Sequence, residues 1–300
     1  MRALERASLL AVLLAARLPG PCLAENNAPG IEGIEAVSSK VAPDYIRAKS
    51  PDGSFLPELY SFGKGGYWGG EFKDDTIDKL DFMDVARTIA PALQSQSYVP
   101  AKDPAKTKLL VMAYWGTTAV PPPYENDTLY QNYWQALQTY RIMIAQGDPD
   151  ADTVLSAGLH QLDIENRIRD RLDFKNANML GYSASGLVGT DRGKYLQHTA
   201  LRTEGLDERD EIEQNRYFIV LMAYDFQLLW KQKKHKLLWE ARFSINEQHN
   251  QFDKALPAMA QYAARYFGQP TNGLIRQRLL NDHVDIGEPT LIQFLSEPKK

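Results

Sequence analysis

Cysteine is almost absent from this 300-residue chain: Cys22 is the only one, so no disulfide can form within it. Beyond that position there is no thiol nucleophile and no thiolate metal ligand. Histidine is scarce as well, five in all, and neither a His-x-x-x-His nor a Glu-x-x-His spacing occurs, so no metal site is predicted. No excess of basic charge exists either: 34 Lys and Arg face 38 Asp and Glu, a formal net charge of −4. That balance offers no field for a nucleic acid or an anionic membrane surface, and no nucleic acid partner is expected. After the N-terminus, no apolar run approaches the roughly 20 residues that cross a bilayer, so no transmembrane segment is expected in the mature chain. No nucleotide or cofactor fingerprint is complete, and none is expected.

The N-terminus has its own pattern. Met1-Arg2-Ala3-Leu4-Glu5-Arg6 leads into an apolar run from Ala7 to Ala16, followed by Pro19-Gly20-Pro21 and the small-residue pattern Cys22-Leu23-Ala24. This is the layout of an export signal, and cleavage after Ala24 would start the mature protein at Glu25, in the periplasm or outside the cell. Pro21 stands where a lipoprotein signal needs Gly, Ala or Ser before its cysteine, so lipid anchoring through Cys22 is not expected.

Residues 25–56 are rich in Asn, Pro, Gly and Ser, with little periodicity, and read as an irregular arm or linker. A single domain then covers 57–300. A short strand at Leu59–Phe62 runs into the glycine cluster Gly63 to Gly70, and an amphipathic helix carries Ile77, Leu80, Val85, Ile89 and Leu93. The consecutively apolar Leu109–Trp115 and Phe218–Tyr224 read as buried strands. The second is expected to extend to Trp230, turn at the basic run Lys231–Lys236 and return as Leu237–Ile245 in a hairpin, before a helix from about Asp253 to Phe267. Between the two strands, about 121–215 forms a helical insertion entered at Pro121-Pro122-Pro123. One helix runs from Asp127 or Thr128 to about Gln146, and a second from Asp150 or Asp152 to about Leu172. The predicted class is α+β: one mainly antiparallel sheet with helices packed mostly on one face, plus this insertion.

That element order, with Gln94-Ser95-Gln96-Ser97-Tyr98 closing the first helix and Leu238-Trp239 in the returning hairpin arm, resembles a bacterial cell-envelope domain family of unknown function whose members are often lipoproteins. The resemblance implies an envelope location and the α+β scaffold. The insertion has no counterpart in that family.

Candidate chemistry is thin. Gly181-Tyr182-Ser183-Ala184-Ser185 approaches a nucleophile elbow, with Ser185 where the last glycine belongs; Ser183 and His198 are the catalytic candidates of a secreted serine hydrolase. Tyr67 and Trp68, beside the glycines, are candidates for stacking on a sugar or peptide, against two aromatics tucked onto the sheet. His160 and Asp163 share a predicted helix face without a third ligand. Tyr130, Tyr133, Trp134, Leu137 and Tyr140 recur at helical spacing and predict packing on the neighbouring helix, or a partner groove where they stay exposed. The leading expectation is a non-catalytic binding or assembly module of the bacterial envelope, with an envelope protein or a small ligand as partner. The alternative is a hydrolase using Ser183.

Overall fold

The computed structural model describes residues 31–182 and 208–279, apart from Glu32 and Glu71. Seven strands form one mixed sheet in the order β3-β2-β4-β5-β6-β1-β7. These are β1 (Gly33–Val41), β2 (Glu58–Trp68), β3 (Tyr98–Pro100), β4 (Leu109–Thr117), β5 (Arg216–Asp225), β6 (Leu237–Asn246) and β7 (Ile275–Leu279). β2 lies parallel to β3 and β4, and every other junction is antiparallel. The helices are α1 (Asp75–Asp78), α2 (Phe82–Ser95), α3 (Thr128–Gln146), α4 (Ala151–Leu180), α5 (Phe226–Gln232) and α6 (Phe252–Ala263), with a further short turn of helix at 208–212. The class is α+β.

β4, β5 and β6 are the centre because their apolar runs tolerate cover on both faces. One face carries Val111, Ala113, Trp115, Ile219, Leu221, Trp239, Ala241 and Phe243, and α2 and α6 close over it with Val85, Ile89, Leu93, Leu256 and Met259, joined by Phe267 just beyond the end of α6. Trp239 stacks on Phe267 at 5.9 Å between ring centroids and 11° between planes, burying the largest apolar area a side chain can offer. A smaller cluster on the opposite face joins Ala36, Phe218 and Val220 to Ala177 and Leu180 at the end of α4.

Three expectations are corrected here. The arm at 25–56 is not irregular throughout, because β1 lies within it, between β6 and β7. Its signal is hidden because a buried strand here holds polar residues: the Ser39 hydroxyl donates to the carbonyls of Glu240 (3.0 Å) and Tyr266 (2.9 Å). Glu35 in the same strand is fully buried with neither carboxyl oxygen hydrogen-bonded, and burial holds its pKa well above the usual range against the opposing pull of Arg265 and Arg216. The second correction is at the β5–β6 connection, where residues 226–232 form α5 rather than continuing the strand. Asp225 caps it by accepting from the Leu228 amide (2.9 Å), and Lys236 of the basic run reaches back to Asp44. Third, the helix drawn through Ile77 to Leu93 is two helices, because Asp81 and Asp84 form a reciprocal capping box that starts α2 afresh.

Candidate functional site

Between β4 and β5 the chain leaves the sheet and builds a helical hairpin. Asp127 accepts from the Tyr130 amide (2.8 Å) to start α3, and Gly147 ends it in the left-handed region at φ 69°. The 30-residue α4 then runs about 45 Å back toward the sheet. It ends at Gly181, φ 85°, where a Cβ would lie 2.6 Å from that of Ser38; glycine is required both by the backbone angle and by the closeness of β1. Gly158 lets the two helices approach, since a Cβ there would lie 2.5 Å from the Ala136 methyl.

The foot of the hairpin is ionic. Glu165, Arg169 and Asp173, four residues apart along α4, are all buried. Arg169 donates to Glu165 and to the Pro122 carbonyl (2.7 Å), and its guanidinium lies 3.9 Å over the Tyr124 ring. Arg209 pairs with Asp173 (3.7 Å) and Asp170 (3.8 Å), and the Asn176 amide donates to the carbonyls of Ala119 (2.7 Å) and Ile212 (3.2 Å). Beside it, Glu211 accepts from Tyr182 and from Arg276 (3.0 Å) on β7. Sequence reasoning missed this joint, though the Glu165/Arg169 spacing was its visible sign.

Beyond the foot, α3 stands apart from the rest of the fold. It has one charged residue, Arg141, among 19, yet no residue of α3 is fully buried. Trp134 is 43% exposed, and Ile142, Ile144 and, on α4, Leu159 are exposed as well. Of the aromatic stripe read from sequence, Tyr133 lies where Gly158 meets α3, whereas Trp134 turns to solvent with its ring edge-on to Tyr130 (6.2 Å).

Tyr67 and Trp68 do not converge. As neighbours on β2 they point to opposite faces: Tyr67 packs on Trp115 (5.8 Å) and donates to Asp78, while Trp68 packs on Tyr114 (5.8 Å) and Phe218 (6.4 Å). The glycines before them form no turn or lip. They continue β2 with a bulge between Lys64 and Gly66, and a Cβ on Gly65 would strike the Tyr114 ring at 2.6 Å. Ser183 and His198 lie outside the described residues. Gly181 caps a helix, whereas a nucleophile elbow follows a strand. His160 is exposed, Asp163 pairs with Arg167 (2.9 Å) and Glu165 with Arg169; among the described residues no group of three acids, histidines or cysteines could hold a metal.

A polar hollow of about 310 Å³ sits at the end of the sheet, lined by Gln214, Asn215, Asn246, Glu247 and Gln248. Burial, with the Asp74 charge added, raises the Glu247 pKa; Asp74 itself, although burial opposes this, is held low by the hydrogen bonds it accepts from Tyr217 and Thr76. The amides there are largely spent on each other, as Asn246 donates to Gln214 (2.5 Å) and the Gln248 N–H donates to Asn246 (2.6 Å).

No family model and no curated protein matches this chain. Among solved structures it is similar to a PDZ domain protein from Parabacteroides distasonis ATCC 8503, with a TM-score of 0.36 and 11% identity over 83% of this chain. The match spans 39% of that protein, well under half its length, and an overlap of this size carries no functional argument. No helix among the described residues is long and apolar enough to cross a membrane.

Proposed function

We propose that this is an exported, non-catalytic assembly module of the bacterial cell envelope that engages a protein partner through the α3–α4 hairpin. One observation carries the reading. β4 and β5 are antiparallel neighbours already stitched at the point where the insertion leaves and returns: the Thr118 amide donates to the Arg216 carbonyl (3.0 Å) and the Arg216 amide to the Thr118 hydroxyl (2.9 Å), across 98 positions of sequence. A tight turn would close this pair. The β4–β5 pairing does not need the hairpin, of which the last turns of α4 pack on the sheet through Ala177 and Leu180, and the remainder presents apolar side chains to solvent, which is the pattern of a surface built to meet another molecule. The N-terminal signal pattern fits the same reading.

The test is site-specific photo-cross-linking in the native envelope. A photoreactive residue at Trp134 or Ile142 should trap a discrete protein, and one at Arg87, an exposed position on α2, should not. Recovery of a mature form beginning near Glu25 checks export. Cross-links at Arg87 but none on the hairpin would sink the proposal.

A further inference from the structure

We infer that the free edge of β2 and the trough beside it bind an extended, acidic stretch of another polypeptide as an added strand, at a site separate from the hairpin. Of the 11 residues of β2, only Glu58, Leu59 and Tyr60 pair with β3. β3 then leaves the edge: the Ala101 amide donates to the Tyr60 carbonyl (2.7 Å), and no described residue pairs with β2 on that side beyond it. Which groups stay open follows from alternation. The Leu59 carbonyl accepts from the Lys108 amide (2.8 Å) on the β4 side, while Glu58 and Tyr60 turn to the β3 side, so Phe62 and Lys64 point their N–H and C=O groups outward. A row of main-chain groups in that spacing is matched by an extended backbone.

The trough decides which extended backbone. It holds about 420 Å³ between this edge and α2, lined by Tyr60 and Phe62 on β2, by Phe82, Met83 and Ala90 on α2, and by Pro100 at the end of β3. Phe62 meets Phe82 edge-on (6.4 Å), and Met83 is 49% exposed. Side chains of an added strand alternate between faces, so every second one enters the trough and is apolar. The charges select the rest. Arg87 is the one charged residue of the lining, and its contact with Asp84 (3.4 Å), with the arginine side chain 70% exposed, holds it weakly. Lys64 on the edge and Lys102, one residue past Ala101, pair with no described acid. The acids nearby are engaged: Asp81 accepts from the Asp84 amide (2.9 Å), Asp84 from the Asp81 amide (3.1 Å) and Asp103 from the Ala105 amide (2.9 Å). The uncommitted charge is positive, which is complementary to acidic residues in the added strand. A second copy of β2 fits this edge worse. Two edges related by a two-fold axis would bring their unpaired lysines together, and the bulge between Lys64 and Gly66 breaks the flat edge they would share.

An array of random peptides of about ten residues, probed with the full chain, tests the inference, followed by fluorescence anisotropy on the best binder. Bound sequences should alternate Leu, Ile, Val or Phe with Asp or Glu. Methylating the peptide's backbone nitrogens one at a time should weaken binding about fivefold or more at every second residue and little between, the signature of strand pairing. Arg87→Glu and Lys64→Glu should each weaken binding more than about tenfold, and Arg167→Glu on the hairpin should leave it unchanged, with far-UV circular dichroism confirming that each variant is folded. A photoreactive residue at Arg87 removes the cation this site relies on, so it traps nothing under this inference either. No binder, binders without acidic residues, or a methylation scan with no period of two overturns the inference. A dimer in sedimentation that Lys64→Glu breaks, with no peptide bound, overturns it too and gives the edge to a second copy. Each of these results leaves the cross-links expected from Trp134 and Ile142 as they were, so this site and the hairpin stand or fall separately.

Discussion

Replacing Arg169 with Met should loosen the whole hairpin, and the size of the effect follows from what is left behind. Arg169 and Glu165 are about as buried as side chains become, at 5% and 3% exposure. Removing the guanidinium strands the Glu165 charge away from water, strips a donor from the Pro122 carbonyl and takes the cation off the Tyr124 ring. Breaking one half of such a pair costs about 3–5 kcal/mol, whereas replacing both halves by apolar residues of similar volume is often close to neutral. The single variant Arg169→Met is therefore expected to lose about 3–5 kcal/mol, and the double variant Glu165→Leu/Arg169→Met to regain most of it. The coupling energy should reach about 2–3 kcal/mol, the upper part of the range for residues in contact. Urea unfolding gives the global figure. Hydrogen exchange gives the local one: amides of α3 and of the first half of α4 should exchange faster, while those of β4, β5 and β6 keep their protection. A single variant within about 1 kcal/mol of the parent, or a double variant no better than the worse single, would refute the claim that this pair locks the hairpin to the body.

Three further outcomes are expected. Trp239→Ala empties the site where Trp239 stacks on Phe267 and contacts Tyr98, and should cost about 3–5 kcal/mol, seen as a thermal midpoint lowered by more than about 6 °C. Glu35→Gln should flatten the pH dependence of stability: the native pKa of Glu35 is raised, so its contribution is fully present below the unfolded value near 4.5 and is lost as pH rises through the folded one, and the advantage of Gln in urea midpoints should widen with pH above about 5. Gly158→Val puts side-chain carbons where the Ala136 methyl already lies 2.5 Å from an added Cβ, and should cost about 1–3 kcal/mol even though valine is the better helix former, read as faster exchange in α3.

What could be read from the sequence was what the chain decides locally. Consecutive apolar residues marked β4 and β5, alternation marked β6, and the caps of the insertion were visible as Asp127 and Gly147. The elements that escaped are those whose reason lies elsewhere in the fold. β1 holds Glu35, Ser38 and Ser39 in the interior, and a buried serine reads as a loop residue until the carbonyls of Glu240 and Tyr266 are beside it. β7 reads Arg276-Gln277-Arg278, and its polar face has meaning only once Glu211 and Glu208 stand opposite Arg276. α5 is apolar enough to pass for a strand, and only the Asp225 cap separates the two. The same division holds at the site. The aromatic stripe of α3 was legible from its spacing, but which of its rings face α4 and which face solvent depends on where Gly158 lets the two helices touch.

The hairpin's joint to the body also bears on why an assembly surface would be built this way. Apolar packing at the foot would let the hairpin slide, because many near-equivalent contacts fill a hydrophobic seam. A carboxylate and a guanidinium that must find each other, with Tyr124, Pro122 and Asn176 holding fixed positions around them, allow one register of α4 against the sheet. The cost is net stability, since buried ion pairs return little beyond their own desolvation. The gain is orientation: the part of α4 beyond Glu165, about 21 Å long, turns an angular error of about five degrees at its base into about 2 Å at its tip. A face whose partner must be met squarely needs a stiff base more than a strong one, and the buried charges sit at the base while the apolar residues sit along the shaft.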